Sequence, residues 1–544
     1  MEKMHRLSAM LKTAIQLFAR YPAIRGVHPE VFDRQGTVGG DLDGAPVLTM
    51  QLVHDRFYFV LFGAIRVQLH AAMTCRANVV DVRSINGATG TGWLAELKRS
   101  SVAAWLFSRP WIRAYGSLIQ GVAYHSASCA QPIRDFKDWT KSKVLWHALQ
   151  ERRGILSLRM GGIEVADLLV DSYLRFRPAP AFDVNDPFVR RLIWQALRDV
   201  RRADTYFSEQ RPRWYFSSYS TYLEHGIAAR VALKNGVPVW TFASFNHFGK
   251  KLSESDTFHT ADFSWYRARF ETLESQEEKL REAQTMLDER LSGRIDAATS
   301  YMRRSAYGQT GAILPSGLAG SVVIFLHDFY DSPHVYPDLV FQDFWSWVCF
   351  TIEELHQNGT SFFLKPHPNQ IALSDQVLAT LRVRYPYLKW IESDVSNVQL
   401  VQAGIVCGVT VYGTVAHELA YLGVPSICCA RHPHHAFQFC RTARNPEEYA
   451  KLLQSFDLLP LAKPEMQRQA LAFYYMHNLY GSAQDLALRN AFIFLWRISG
   501  KPDTSEKEIK AAVSNLVHLP GFSRFISSLL DETMETGLGL QAKD

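Results

Sequence analysis

From residue 321 the chain alternates short, unbroken apolar runs with longer segments of helical periodicity. SVVIFLH (321–327) precedes FQDFWSWVCFTIEELHQNG (341–359), and SFFLKPH (361–367) precedes LSDQVLATLRVRYP (373–386). LKWIES (388–393) leads to VSNVQLVQAG (395–404), GIVCGVTV (404–411) to TVAHELAYLG (414–423), and PSICCARH (425–432) to NPEEYAKLLQSF (445–456). Strands that are apolar on both faces and separated by helices belong to a parallel sheet covered on both sides. Five such units in succession predict a doubly wound α/β domain.

The first half repeats the rhythm less regularly. APVLTMQL (45–52), ANVVDVRS (77–84), RWYFSSYS (213–220) and PVWTFAS (238–244) read as strands, and PFVRRLIWQALRDVRRADTYFSEQ (187–210) as a long helix. GIAARVALKNG (226–236) ahead of VPVWTF reads as the helix of another βαβ unit, with Gly236 ending it. A second α/β domain follows from this. The charged segment 270–310 is expected to be a helix leading into the domain beyond it. SINGATGTGW (84–93) spaces its glycines as G-x-x-G-x-G with no Walker lysine, which reads as an ordinary βα turn in preference to a flexible ligand loop.

Length and composition narrow the class. A chain of 544 residues exceeds one ordinary core. The expected division is an α/β domain over 1–310, a Rossmann-like domain over 311–500 and a helical tail over 501–544. The net charge of +6, without a concentrated basic run, suits anionic small molecules or a membrane surface and disfavours nucleic acid. The seven cysteines are odd in number, contain no CxxC pair and follow no secretory signal, so they are expected to be reduced and the chain cytoplasmic. Apolar runs such as FYFVLFGAI (57–65) fall short of the roughly 20 residues that span a bilayer, so any membrane contact is peripheral. The stretch 1–26 and the tail EIKAAVSNLVHLPGFSRFISSLL (508–530) read as amphipathic surface helices or as helices packed on the protein itself.

In doubly wound sheets ligands sit at the carboxyl ends of the strands, and the unusual polar residues of this chain fall there. FLHDFYDSPH brings His327, Asp328, Asp331 and His334 after one strand, and KPHPN brings Lys365, His367, Pro368 and Asn369 after the next. TVYGTVAHE brings Tyr412, Gly413, Thr414, His417 and Glu418. The prolines of KPHPN hold His367 in one direction, from which it can donate to a phosphate or leaving group, and Lys365 adds a point charge. Gly413 permits a sharp turn, and Thr414 with the free amides of the next turn offers donors to a phosphate. Glu418, one turn into the helix, suits ribose hydroxyls. Each has a plainer reading as well: Thr414 as a helix cap, His367 as a turn residue.

Carboxylates available for chemistry are Glu164, Asp167 and Asp171 in GGIEVADLLVDSYLRF, and Glu224 in YSTYLEHGIAAR. On one continuous helix the first three share a face, as a catalytic cluster or as a solvated acidic stripe. RHPHHAFQFC (431–440) invites a zinc reading through His432, His434, His435 and Cys440. Its spacing matches no standard ligand pattern, and no metal is expected.

Two α/β domains with a ligand rim on the second describe the GT-B glycosyltransferase architecture. VVIFLHDFYDSPH, LKPHPN and GVTVYGTVAHELAYLGVPSI resemble segments of the bacterial capsule-polysaccharide biosynthesis proteins, the group that includes Kdo transferases. GIEVADLLVDSYLR and YLEHGIAARVALKNGVPV resemble that group's N-terminal-domain elements, so that the likeness covers about residues 160–435.

The resemblance implies two Rossmann-like domains facing a cleft and a metal-independent transferase without a cofactor. Its donor is a nucleotide sugar, Kdo or a related acidic sugar linked to CMP. Its acceptor is a surface polysaccharide or glycolipid, with peripheral contact to the inner membrane. The family's His-Pro role falls on His367 and Pro368, and its glycine, threonine and glutamate roles on Gly413, Thr414 and Glu418. Lys365, Asn369, Tyr412, His327 and Asp331 complete the donor side. A catalytic carboxylate is implied from the first domain, with Glu164 and Asp171 ahead of Glu224. Other readings are a CDP-glycerol-type glycerophosphotransferase, a transferase using UDP- or GDP-sugars, a sugar-nucleotide epimerase of the same architecture, and a non-catalytic assembly subunit.

Overall fold

The computed structural model describes residues 42, 44–81, 111, 112, 115, 122–126, 132–152, 158–177, 179–296, 300, 313–455, 461–501 and 503–531. The glycine-rich segment 84–93 and the basic stretch 1–26 lie outside them. Among the described residues the strands form two six-stranded sheets and one hairpin.

The first sheet contains β1 (Val47–Gln51), β2 (Arg76–Asp81), β3 (Val122–Ser126), β6 (Trp214–Ser217), β7 (Val239–Thr241) and β8 (Lys250–Leu252), in the order β3-β2-β1-β6-β7-β8. It is parallel but for the antiparallel β7–β8 edge. Strands β4 (Arg159–Met160) and β5 (Ile163–Glu164) form the separate hairpin. The second sheet contains β9 (Val322–Phe325), β10 (Phe362–Lys365), β11 (Lys389–Trp390), β12 (Cys407–Val409), β13 (Ser426–Cys428) and β14 (Cys440–Thr442), ordered β11-β10-β9-β12-β13-β14 and parallel throughout. Each sheet runs outward in one direction from its first strand and then restarts on that strand's other side. That is the strand order of dinucleotide-binding folds, so the expected pair of Rossmann-like α/β sheets is present.

The expected strands were found where the apolar runs are continuous. Burial explains the helices too: Val189, Leu192, Ile193, Ala196, Val200, Ala203 and Phe207 repeat at helical spacing along Pro187–Gln210 and are buried, while Arg191 is exposed on the opposite face.

The division of the chain is more interleaved than a single boundary at 310 and a separate tail. Of the described residues, one compact unit gathers those up to Leu169, Pro187–His259 and those from Gly481 onward; the other gathers those of Val170–Asp186 and Thr260–Tyr480. The charged helix Gln276–Leu291 belongs to the second unit because it packs on the helix Lys463–Tyr474. The tail belongs to the first. Its helices Glu506–Val517 and Pro520–Leu530 pack on Arg56–Ala72 and bury Ile509, Val513, Leu516, Phe522, Phe525 and Leu529. Trp214 Nε1 donates to the Leu529 carbonyl at 2.8 Å. The amphipathic tail is therefore a packed element of this unit. No helix among the described residues is long and apolar enough to cross a membrane.

Phe525 is 0% exposed and meets the rings of Phe248 and Trp240 edge-on at 4.9 and 5.3 Å. Phe525→Ala is expected to destabilise the first unit by about 3–5 kcal/mol, read as a lowered urea midpoint. An unchanged midpoint would mean that the tail is not part of that core.

Candidate functional site

The second sheet's switch point lies between β9 and β12, and loops from the carboxyl ends of β9, β10 and β12 line a cavity of about 310 Å³. From β9 come His327, Asp328 and Asp331; from β10, Lys365 and the Pro366-His367-Pro368 turn; from β12, Thr410, Tyr412 and Gly413 with the start of the helix Val415–Leu422.

His327 stacks on Phe344 at 4.8 Å and meets Tyr412 at 4.7 Å, and its Nε2 shares a 3.0 Å hydrogen bond with Thr410 Oγ1. Burial among these rings, and then His367 nearby, lowers its pKa to about 3. Thr410 Oγ1 also accepts the Gly413 amide at 3.2 Å. Gly413 is required by this contact, because a Cβ there would stand 2.8 Å from the same oxygen.

Lys365 is 4% exposed, and its Nζ donates to the Ser393 carbonyl at 3.0 Å. Burial pushes its pKa down to about 8 against the pull of Glu418 and Asp394, so it stays mainly cationic at pH 7. In the KPHPN loop the Asn369 amide donates to His367 Nδ1 at 3.2 Å. With Nδ1 occupied as an acceptor, neutral His367 carries its proton on Nε2 and can donate. Burial lowers the His367 pKa, Lys365 adds to this and Asp328 opposes it. Asp328 itself accepts Ser374 Oγ at 2.8 Å and the Ile371 amide at 3.0 Å, which ties the two loops together.

Thr414 caps the helix Val415–Leu422 in position only, since its side chain makes no capping bond. Thr414 and Val415 border the cavity at the positive end of the helix, where the Ala416 amide is taken by the Gly413 carbonyl at 3.2 Å. Asp331 sits on the exposed rim but is crowded by protein atoms. That crowding, with Asp328 and Asp171 near, raises its pKa, while the Ser332 amide and Arg175 oppose the shift. Its exposure to water makes the ionised form the better description.

Glu418 departs from the expected role. It is 3% exposed; Oε1 accepts from Arg290 Nε at 2.9 Å and Nη2 at 2.6 Å, and Oε2 accepts Asn397 Nδ2 at 2.8 Å. Arg290 Nη1 in turn reaches Asp296 at 2.6 Å. The glutamate thus borders the cavity as the anchor of a buried ion pair. Arg290, Arg294 and Asn397 also line the cavity and escaped the sequence reading. The two arginines lie in a charged stretch that reads as a connecting helix.

Of the expected donor-side residues, His327, Asp331, Lys365, His367, Pro368, Tyr412, Gly413, Thr414 and Glu418 border this one cavity, and Asn369 supports it from behind through His367. The expected carboxylates do not form a cluster. Gly161 and Gly162, at φ +58° and +88°, turn the β4–β5 hairpin, so Glu164 lies on β5 and the helix starts only at Ala166. Glu164 is exposed and pairs with Arg159 at 3.2 Å. Asp167 is held by both guanidinium nitrogens of Arg230. Asp171 belongs to the second unit, contrary to its expected place on the first; it is 1% exposed and receives Ser332 Oγ and, at 2.6 Å, His334 Nδ1. Ser332's carbonyl accepts the Tyr412 hydroxyl, so Asp171 braces a cavity wall.

Glu224 lies in the first turn of Tyr222–Lys234, after β6 at the carboxyl ends of the first sheet. His225 Nε2 approaches its Oε1 at 3.2 Å, and His225 Nδ1 lies 2.6 Å from Gln51 Nε2 at the end of β1. Gln51 is buried and accepts the Ser218 amide and hydroxyl, each at 3.0 Å, which fixes the His225–Glu224 pair.

No protein-family model and no curated protein matches the chain. Among solved structures it is similar to the beta Kdo 2,4 transferase KpsC of Thermosulfurimonas dismutans, at 14% identity over 52% of this chain and 87% of that one, with a TM-score of 0.30. It is also similar to a UDP-GlcNAc 2-epimerase from Neisseria meningitidis bound to UDP-GlcNAc (9% identity, 78% and 94% coverage, TM-score 0.23). A third likeness is to the wall teichoic acid polymerase TagF (12% identity, 94% and 98% coverage, TM-score 0.21). At these scores the likenesses carry no weight, and the functional reading rests on the cavity.

Two outcomes are expected from this geometry. Glu418→Gln removes the charge facing Arg290 and should lower unfolding stability by about 1.5–3 kcal/mol in chemical denaturation; unchanged stability would take Glu418 out of the anchor. His327, held neutral in the fold against an unfolded pKa of about 6.5, contributes stability that is full above pH 6.5 and is lost as pH falls toward 3. His327→Asn should therefore flatten the loss of stability measured between pH 6.5 and 4; an equally steep loss in the variant would contradict the assignment.

Proposed function

We propose that this chain is a glycosyltransferase that moves Kdo or a related acidic sugar from a CMP-activated donor onto a surface-polysaccharide or glycolipid acceptor, by chemistry that uses no metal. One observation carries the reading: an Nε2–H of fixed direction on His367, the Lys365 ammonium and the positive end of the helix Val415–Leu422 converge on one cavity at the sheet's switch point. A sugar joined to a nucleotide phosphate leaves that phosphate with one more negative charge as the bond breaks. Donors already oriented toward the developing charge stabilise the transition state without reorganisation.

In the proposed reaction the bond between the anomeric carbon and the phosphate oxygen breaks, and its electron pair stays on the phosphate. His367 donates a hydrogen bond there, while Lys365 and the helix start supply positive potential. The acceptor hydroxyl forms the new bond to the sugar carbon and gives up its proton to a carboxylate. Among the expected carboxylates, Glu224 is fixed by His225 and Gln51 after β6, whereas Glu164 pairs with Arg159 and Asp171 with His334. Arg290 and Asn397, fixed by Glu418, shape the wall of the nucleotide site.

His367→Ala is expected to slow CMP release from CMP-Kdo in the presence of acceptor by roughly 10²–10³-fold, the loss of one preorganised donor. Unchanged turnover in a folded variant would remove His367 from the mechanism. Phosphate found within the new linkage would move the assignment to glycerophosphotransfer.

A further inference from the structure

The connection from β13 to β14 is unusual. A parallel crossover normally takes a dozen or more residues and a helix, yet here residues 429–439 return the chain through turns alone. His432 and His434 in this connection are each 1% exposed. Two cysteines flank it, Cys428 at the end of β13 and Cys440 at the start of β14, both buried and unbridged. In the register Ser426↔Cys440 and Cys428↔Thr442, the two-residue strand period puts both thiols on one face of the sheet. The ligand atoms of Cys428, His432, His434 and Cys440 all lie within 4.8 Å of one another.

We propose that Cys428, His432, His434 and Cys440 form a structural zinc site that closes the helix-less β13–β14 crossover. Two thiolates and two imidazoles are a standard tetrahedral donor set for this ion. Binding releases two thiol protons and leaves the site with no net charge (a dication, two thiolates, two neutral rings), which is what an enclosed position without nearby carboxylate ligands requires. His434 points to a missing partner, because neither ring nitrogen makes a hydrogen bond of good geometry at 1% exposure. The Gly413 backbone acts on this ring only as the smallest of several influences.

The thiols stand 3.0 Å apart, and Cys440 Sγ lies 3.8 Å from His432 Nε2. Sulfurs bound at 2.3 Å to a tetrahedral zinc are separated by about 3.8 Å, so binding opens the pair slightly. A disulfide would draw them together instead and leave His434 without a partner. His432 has most to exchange: its Nε2 bonds Thr442 Oγ1 at 2.9 Å and its Nδ1 accepts the His434 amide at 3.2 Å, and one of these contacts gives way to the metal.

The set differs from the one suggested by the histidine run. His435 turns aside to the His432 carbonyl, and Cys428, which lies inside an apolar strand, takes its place. The spacing C-x3-H-x-H-x5-C matches no familiar pattern because the β13–β14 pairing, and not a local turn, brings its ends together.

The test is metal analysis of the purified full-length chain, followed by replacement of zinc with Co²⁺. We expect close to one zinc per chain, sulfur-to-cobalt charge-transfer absorption in the near ultraviolet, and a fall in melting temperature on chelation. Cys440→Ser and His434→Ala should lose the metal, whereas His435→Ala should retain it. Because the first two variants may fold poorly, the wild-type measurement decides. A chain without metal after reconstitution, or one whose peptide map shows a Cys428–Cys440 disulfide, would overturn the proposal.

Discussion

Arg290 is a guanidinium removed from water, and a lone buried charge of that kind would be severely destabilising. It is tolerated because Glu418 meets it through two nitrogens, Asp296 takes a third contact, and Asn397 satisfies the remaining glutamate oxygen. These groups come from the helix Gln276–Leu291, its following turn, Asn397–Gln402 and Val415–Leu422. The ion pair therefore fixes the helix that follows Gly413 and Thr414, and with it that wall of the cavity.

The rest of the cavity follows from strand order. Because β9 is laid down first and β12 returns to its other side, the loops that follow them diverge and leave a crevice. His327 and Thr410 span that crevice with one hydrogen bond, and Thr410 in turn demands a glycine at 413. The two prolines of KPHPN have a comparable use. They shape a turn in which the Asn369 amide occupies His367 Nδ1, which leaves Nε2 as the donor.

Much of this was legible in the sequence because its cause is local. Continuous apolar runs mark strands buried on both faces, and residues directly after such strands must lie at one end of the sheet, so the residues that border the cavity can be grouped from their positions alone. What failed to be legible depends on distant partners. Glu418 is 128 residues from Arg290, so its ion pair could not be distinguished from a ribose contact. Glu164, Asp167 and Asp171 look like one helical face until two glycines at positive φ turn a hairpin that leaves Glu164 on a strand, ahead of the helix that starts at Ala166. Strand β14 is three residues long and cannot be told from a loop by periodicity, which also concealed the approach of Cys428 to Cys440.

The central claim is that this cavity holds the nucleotide of an activated sugar, and nucleotide binding to the intact chain tests it most directly. The measurement is the melting temperature in the presence of CMP, CDP, UDP and GDP, since a ligand specific to the folded state stabilises by mass action. The account expects a concentration-dependent rise with CMP that is lost or strongly reduced in His367→Ala. A rise confined to UDP or GDP would contradict the donor assigned here, and no rise with any of the four would contradict the nucleotide-sugar reading itself.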